Sequence, residues 1–205
     1  KESSAASDVY KRQTTDISDS LLSRIIDDLA EFGWSLQTQF APTSLTRELA
    51  EECRQRIAQG TLAPAGTGRG HAVAVREGTR SDHIQWLEAG QSPACDGYLQ
   101  LLDELRVAIN QSLYLGLVDY ESHFAFYPPG GFYLKHLDRF RDDDRRAVSA
   151  VLYLNDGWQA EDGGQLRLYL ADGQVRDVLP EAGTLVVFLS ADIPHEVLPL
   201  SLIHI

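Results

Sequence analysis

The sequence predicts an α+β fold, mainly β, in which helices come first and a sandwich or jelly roll of short strands follows. Three observations predict it. Apolar residues recur at helical spacing as far as Gly116; beyond it they alternate with period two; and turn-forming residues divide the alternating runs.

Residues 1–16 are polar, rich in Ser, Thr and Asp, and without apolar period, which predicts a flexible leader. Leu21, Leu22, Ile25, Ile26 and Leu29 then mark an amphipathic helix behind a Ser18/Asp19 cap, with Gly33 as its stop. Leu45, Leu49, Cys53 and Ile57, four apart and closed by Gly60, mark a second helix and make Cys53 a core residue. Residues 63–70 are rich in Gly, Pro and Ala and predict a loop. Residues 71–75 and 83–87 predict the short strands of a hairpin around polar residues 76–82. Ser92-Pro93, a cap with proline at the first helical position, opens a third helix along Tyr98, Leu101, Leu102, Leu105, Ile109 and Leu113. Strands are predicted over 120–127, 132–138, 147–155, 165–170, 174–179, 184–189 and 195–198. Between them stand turn sequences such as Pro128-Pro129-Gly130-Gly131, Asn155-Asp156-Gly157 and Asp162-Gly163-Gly164. The organisation is one structural domain: leader 1–16, helical support 17–116 carrying the hairpin at about 71–88, and a β core over 117–205.

Composition narrows the function. Of the 205 residues 43% are hydrophobic, which suits a folded domain. A net charge of -12, from 30 acidic and 18 basic residues, repels phosphate backbones and anionic membranes, so neither nucleic acid nor membrane is an expected partner. Two cysteines without paired spacing make neither a disulfide framework nor a zinc knuckle and suit a reducing cytoplasm. There is no membrane-length apolar run, and no signal-peptide core at the start. Methionine is absent, even at position 1, which predicts a trimmed start or a fragment.

The chemistry sits in the β half. In His136-Leu137-Asp138, at the end of an alternating strand, side chains two apart share a face, so an imidazole and a carboxylate can converge. His195, 57 positions after Asp138, follows a proline turn at the start of another strand and is the candidate third ligand. Two His and one carboxylate on one face of a metal leave the opposite face open, as non-haem iron(II) requires to take a co-substrate and dioxygen together. His71, His83 and His123 have no partner at ligand spacing and are read as structural or substrate-side.

Further stretches accompany this pair: Tyr127-Pro-Pro-Gly-Gly-Phe-Tyr-Leu-Lys-His-Leu-Asp138, Val151-Leu-Tyr-Leu-Asn155 with Trp158, Gly163-Gly-Gln-Leu-Arg167, and Pro194-His-Glu-Val197. In that order they resemble the iron(II)- and 2-oxoglutarate-dependent prolyl 4-hydroxylases of the oxygen-sensing (EGL-nine-like) type, as a bacterial relative would. Upstream, Arg80-Ser-Asp-His-Ile-Gln-Trp-Leu-Glu88 is similar to the family's substrate-side hairpin. The resemblance covers about residues 17–199.

It implies a double-stranded β-helix, a cupin-like jelly roll, with N-terminal supporting helices on one outer face. It implies that His136, Asp138 and His195 bind Fe(II) and carry the catalysis. Tyr127, Tyr153, Leu166 and Val197 would line the 2-oxoglutarate pocket, Tyr153 reaching the distal carboxylate. Tyr133 and Trp158 are further pocket and substrate candidates. Arg80 and Arg146, beside the 76–82 hairpin and the 139–146 loop, are candidates for substrate contact, because a guanidinium offers a rigid fork of donors. The implied reaction consumes dioxygen and 2-oxoglutarate, releases succinate and carbon dioxide, and hydroxylates a prolyl residue in a protein, with ascorbate as a helper. Analogy with bacterial relatives names an elongation factor Tu-like GTPase as the partner. The alternatives are a dioxygenase acting on a free amino acid or another side chain, a non-catalytic metal-binding jelly-roll module, and a cupin-like isomerase or hydrolase using zinc or manganese.

One position departs from the family pattern. Nine residues after the distal His the family carries a basic residue, usually Arg, that pairs with the far carboxylate of 2-oxoglutarate; here that position is His204. Residues 201–205 also look foreign to the pattern, as if the natural C-terminus were truncated. The expectation is intact metal binding with weak co-substrate binding, unless Lys135 or Arg167 supplies the cation.

Overall fold

The computed structural model describes residues 17–66, 78–139 and 146–205. Three helices, α1 (Asp19–Phe32), α2 (Thr43–Ala58) and α3 (Pro93–Leu113), accompany ten strands: β1 (Trp34–Gln37), β2 (Ala63–Pro64), β3 (His83–Trp86), β4 (His123–Phe126), β5 (Tyr133–His136), β6 (Val148–Leu152), β7 (Leu166–Tyr169), β8 (Val175–Val178), β9 (Leu185–Leu189) and β10 (His195–Val197). The strands form three sheets, ordered β1-β9-β6, β5-β10-β7-β8 and β2-β3-β4, and every strand pair is antiparallel.

Strand β9 explains how the layers stack. Leu185 and Val187 lie in the core shared with the helices, beside Ile25, Leu49, Leu105 and Ile109. Val186 and Phe188 point the other way, into a second core with Leu166 and Leu168 of β7, Val178 of β8, Tyr153 and Ile193. Both faces of the strand are therefore covered, and its sequence, Leu-Val-Val-Phe-Leu, is continuously apolar instead of alternating. The sheets on either side of the second core form the double-stranded β-helix, and α1 lies against β1 and β9 on its outer side.

Most predicted elements form, with frayed ends removed. Ser92 caps α3 by accepting from the Cys95 amide behind Pro93 at the first turn. Gly33 closes α1 in the left-handed conformation. Cys53 and Cys95 are buried, unpaired core residues.

Three predictions need correction. Helices do not all precede strands, because β1 lies between α1 and α2 and pairs with β9, Trp34 opposite Phe188 and Gln37 opposite Leu185. Its apolar signal is masked because its buried positions are polar: Ser35 donates to Asp28 (2.7 Å), and the Gln37 amide donates to Ser35 (2.9 Å) and Asp28 (3.2 Å). Residues 63 and 64, predicted as loop, form β2 beside β3, with a proline in an outer strand, where no further ladder bond is asked of it. The Ser18 side chain makes no cap hydrogen bond; its backbone carbonyl alone accepts from Leu21 and Leu22. The leader, the predicted strand at 71–75, the first part of the 76–82 hairpin and residues 140–145 of the 139–146 loop lie outside the described residues. Among the described residues no helix is long and apolar enough to cross a membrane.

Candidate metal centre and co-substrate pocket

Strands β5 and β10 run antiparallel with His136 opposite His195, and Asp138 follows two residues beyond His136. This register brings three ligands together. Nε2 of His136 lies 3.4 Å from Oδ1 of Asp138, and Nε2 of His195 lies 3.7 Å from the same oxygen. One ligand atom from each residue falls within 4.8 Å of the others, the one such group of His, Cys, Asp and Glu among the described residues.

The remaining atom of each ligand is held from behind. Nδ1 of His136 lies 2.8 Å from the Leu134 carbonyl, and Nδ1 of His195 lies 3.1 Å from the Ile193 carbonyl. A carbonyl only accepts, so each Nδ1 carries the proton and each Nε2 presents a lone pair to the common point. The other oxygen of Asp138, Oδ2, accepts from the Ser149 hydroxyl at 2.6 Å, and Ser149 meets Ser190 at 2.8 Å. Burial pushes the Asp138 carboxyl up, but the neighbouring His136, His195 and Ser149 side chains outweigh it and hold the group well below the usual carboxylate range. Burial pushes His195 down. The result is an anionic oxygen beside a neutral imidazole, the protonation state a metal ion needs. Two nitrogens and one carboxylate oxygen gathered on one side of a point fit iron(II) with open positions opposite.

The residues expected to line the co-substrate pocket cluster around His204. Tyr127 and His204 exchange backbone hydrogen bonds, amide of Tyr127 to carbonyl of His204 at 2.9 Å and the reverse at 3.1 Å. The rings of Tyr127, Tyr153 and Trp158 lie 5.6, 5.5 and 5.4 Å from the His204 ring. Trp158 is oriented by its indole N–H, which donates to the Gly163 carbonyl at 2.9 Å. Gly163 has φ 76° and ψ -149°, a region open essentially to glycine, and a Cβ there would sit 2.3 Å from the Pro199 carbonyl. The turn therefore depends on that glycine to bring residues 199–204 against Trp158. Leu166 and Val197 sit opposite each other on β7 and β10. Burial pushes the Tyr127 and Tyr153 hydroxyls up, so both stay protonated as donors.

His204 is 4% exposed, and its Nδ1 has no hydrogen-bond partner among the described residues. Burial pushes its pKa down to about 4, so it is neutral near pH 7. The cluster thus offers hydroxyls, an unpartnered imidazole nitrogen and apolar walls, which fit a carboxylate-bearing co-substrate but supply no permanent charge. Neither alternative cation reaches it. Arg167 lies between the inward Leu166 and Leu168 on the opposite face of β7 and forks onto Asp177 (2.8 Å for both contacts), and Lys135 stands over the Tyr169 ring at 3.4 Å.

The proposed substrate contacts divide. Arg80 forks onto Asp82 and lies over Tyr133, whose ring stacks on His136. Arg146 pairs with Glu121 at 2.6 Å. Trp158 lies in the His204 cluster instead. Ser149, Ser190 and Asp82 were not singled out by the sequence; the available signal was a lone hydroxyl in apolar strand β6 and another directly after β9.

Two imidazoles and one carboxylate converging between strands of a double-stranded β-helix, with a buried cluster of tyrosines and an imidazole in the same β core, fit the class of non-haem, 2-oxo-acid-dependent metal oxygenases. Residues 122–203 match the 2OG-Fe(II) oxygenase superfamily. A Pseudomonas putida prolyl-4-hydroxylase is 59% identical with a TM-score of 0.83, over 89% of this chain and 94% of that one. This chain belongs to the prolyl hydroxylase family of the 2OG-Fe(II) oxygenase superfamily. A Trichoplax adhaerens prolyl hydroxylase, solved with a hypoxia inducible factor peptide fragment, is 26% identical with a TM-score of 0.76, over 90% of this chain and 86% of that one. The Caenorhabditis elegans hypoxia-inducible factor prolyl hydroxylase is 30% identical over 85% of this chain. The chain spans 26% of the length of that worm protein and 39% of human Egl nine homolog 1.

Proposed function

We propose that this chain is a prolyl 4-hydroxylase that hydroxylates a proline within a protein substrate. The observation that carries the reading is the convergence of His136, Asp138 and His195 with their outer atoms already tied. Those three residues would hold iron(II), which when bound couples dioxygen and 2-oxoglutarate to C–H oxidation: 2-oxoglutarate, O2 and R–H give succinate, CO2 and R–OH.

The chain's residues bind and orient. Tyr127 and Tyr153 donate hydroxyl protons to the distal carboxylate of 2-oxoglutarate, and His204 meets the same carboxylate without a fixed charge. Leu166 and Val197 exclude water along its carbon chain, and Trp158 closes the pocket behind His204. Tyr133 presents its edge toward the substrate proline, and Arg80 and Arg146 flank the approach of the peptide. Residues 17–116 support the catalytic core at 117–205 as one structural domain.

The substrate class is supported by the Pseudomonas relative's name and by the peptide held by the Trichoplax relative. An elongation factor Tu-like GTPase is the first candidate partner. Ascorbate serves as a helper and oxygen sensing as the physiological role; two buried free cysteines suit a cytoplasmic setting.

The deciding experiment incubates iron-loaded protein with 2-oxoglutarate, oxygen and proline-bearing peptides or the GTPase. Succinate release matched by oxygen uptake, with one oxygen gained on proline by mass spectrometry, is the expected result. Oxygen gained only on another residue or on free amino acids moves the substrate, and metal binding without succinate reduces the chain to a binding module.

A further inference from the structure

Behind the metal ligand His136 stands a column of side chains that ends in a buried carboxylate. The Asp82 side chain is 1% exposed. Its two oxygens accept from the Arg80 guanidinium, Nε to Oδ1 at 2.6 Å and the terminal nitrogen to Oδ2 at 2.5 Å. The Arg80 guanidinium carbon lies 4.4 Å from the centroid of the Tyr133 ring, over that ring. Tyr133 in turn stacks on His136, with centroids 3.6 Å apart and planes 16° from parallel. The backbone reinforces the alignment, because Leu134 donates to the Thr79 carbonyl at 2.9 Å and Ser81 to the Phe132 carbonyl at 3.1 Å, placing Arg80 opposite Tyr133.

Each link restricts the next. A guanidinium forked onto a carboxylate keeps its plane fixed, which a single contact cannot do. A cation held over the face of a tyrosine attracts the ring, and the ring flanked by guanidinium and imidazole has little freedom to swing. The His136 imidazole is fixed along its edge by the Leu134 carbonyl, and Tyr133 covers its face. Removing the face contact leaves a ring that can rock about the Nδ1 hydrogen bond and misdirect the Nε2 lone pair.

We propose that Asp82 and Arg80 are positioning residues for the metal centre, acting through Tyr133 to hold the His136 imidazole at its ligating angle. The inference rests on the reading of His136 as a metal ligand but not on the identity of the substrate.

The test is cobalt(II) titration of the full chain followed by the absorption of the bound ion, a readout that needs neither 2-oxoglutarate nor hydroxylation. Tyr133→Leu, which removes the stacked ring and leaves the ion pair, is expected to bind cobalt(II) roughly tenfold more weakly with an altered visible band, the scale of losing a group that orients a ligand. Tyr133→Phe, which keeps the ring, is expected to bind as the parent does. Asp82→Asn is expected to share the Tyr133→Leu defect, and the double variant to be no weaker than Tyr133→Leu alone, because both act on one path. Should Asp82→Asn fail to fold, Arg80→Lys, which keeps the charge and loses the planar fork, takes its place. Parent-like affinity and absorption in Tyr133→Leu overturn the proposal, and so does a double variant whose loss is the product of the two single losses. If all variants and the parent bind cobalt(II) weakly and alike, the metal-site reading itself fails.

Discussion

The two ends of the site are built differently. At the metal end each ligand's outer atom is already occupied: His136 by the Leu134 carbonyl, His195 by the Ile193 carbonyl, Asp138 by Ser149. In the His204 cluster a buried imidazole nitrogen has no hydrogen-bond partner among the described residues, and Arg167 and Lys135 are engaged elsewhere. One end is prepared for its occupant before it arrives; the other asks the occupant to complete it. The difference teaches that metal affinity and co-substrate affinity are separable in this chain.

The largest effect should come from the metal end. His195→Ala is expected to weaken manganese(II) or cobalt(II) binding by more than the roughly 100-fold that bounds loss of an outer hydrogen bond. Metal titration checks it, and binding within tenfold of the parent would remove His195 from the site.

Next comes acid stability. His204 has a folded pKa of about 4 against 6.5 unperturbed, so the folded state binds fewer protons than the unfolded chain in between. Its contribution is intact above pH 6.5 and is lost as pH falls toward 4, by on the order of 3 kcal/mol in all. His204→Leu should flatten that part of the stability curve, measured by thermal melts of the metal-free chain across this range. An unchanged slope would mean that the imidazole is solvated.

Restoring charge at the far end should sharpen the comparison from the other side. His204→Arg supplies a permanent bidentate donor, and a charge-assisted hydrogen bond of about 1.5–3 kcal/mol predicts roughly 10- to 100-fold tighter 2-oxoglutarate binding. Isothermal titration into manganese-loaded protein reads this directly, and metal affinity should not move. The smallest effect is assigned to Ser149→Ala, which frees Oδ2 of Asp138 and should weaken metal binding by roughly tenfold without altering the pH dependence set by His204.

Much of this was legible in the residues. His136 and Asp138 are two apart, a spacing that lets both side chains turn to one face even though β5 itself ends at His136. The helices announced themselves through apolar spacing and the Ser92-Pro93 start. Strand β1 did not, because its buried positions are Ser35 and Gln37, satisfied by Asp28, and periodicity arguments count only apolar residues. Ser149 and Asp82 were equally silent, since a hydroxyl or carboxylate in a short segment carries no sign of the partner it will meet.

By itself the sequence determined the local periods, the turns between them, the pair His136 and Asp138 and, through its resemblance, the third ligand His195, because these depend on spacing along the chain or on an ordered set of motifs. Only the tertiary structure decided that Asp138 would be gripped by Ser149, that Arg80 would spend its fork on Asp82 behind Tyr133, and that His204 would lie buried among three aromatic rings with a nitrogen unpaired. The fork spans only two residues and Ser149 lies eleven after Asp138, but the contacts of Arg80 with Tyr133 and of His204 with its three rings join distant segments, and protonation and orientation there follow from burial and neighbours that no local pattern encodes.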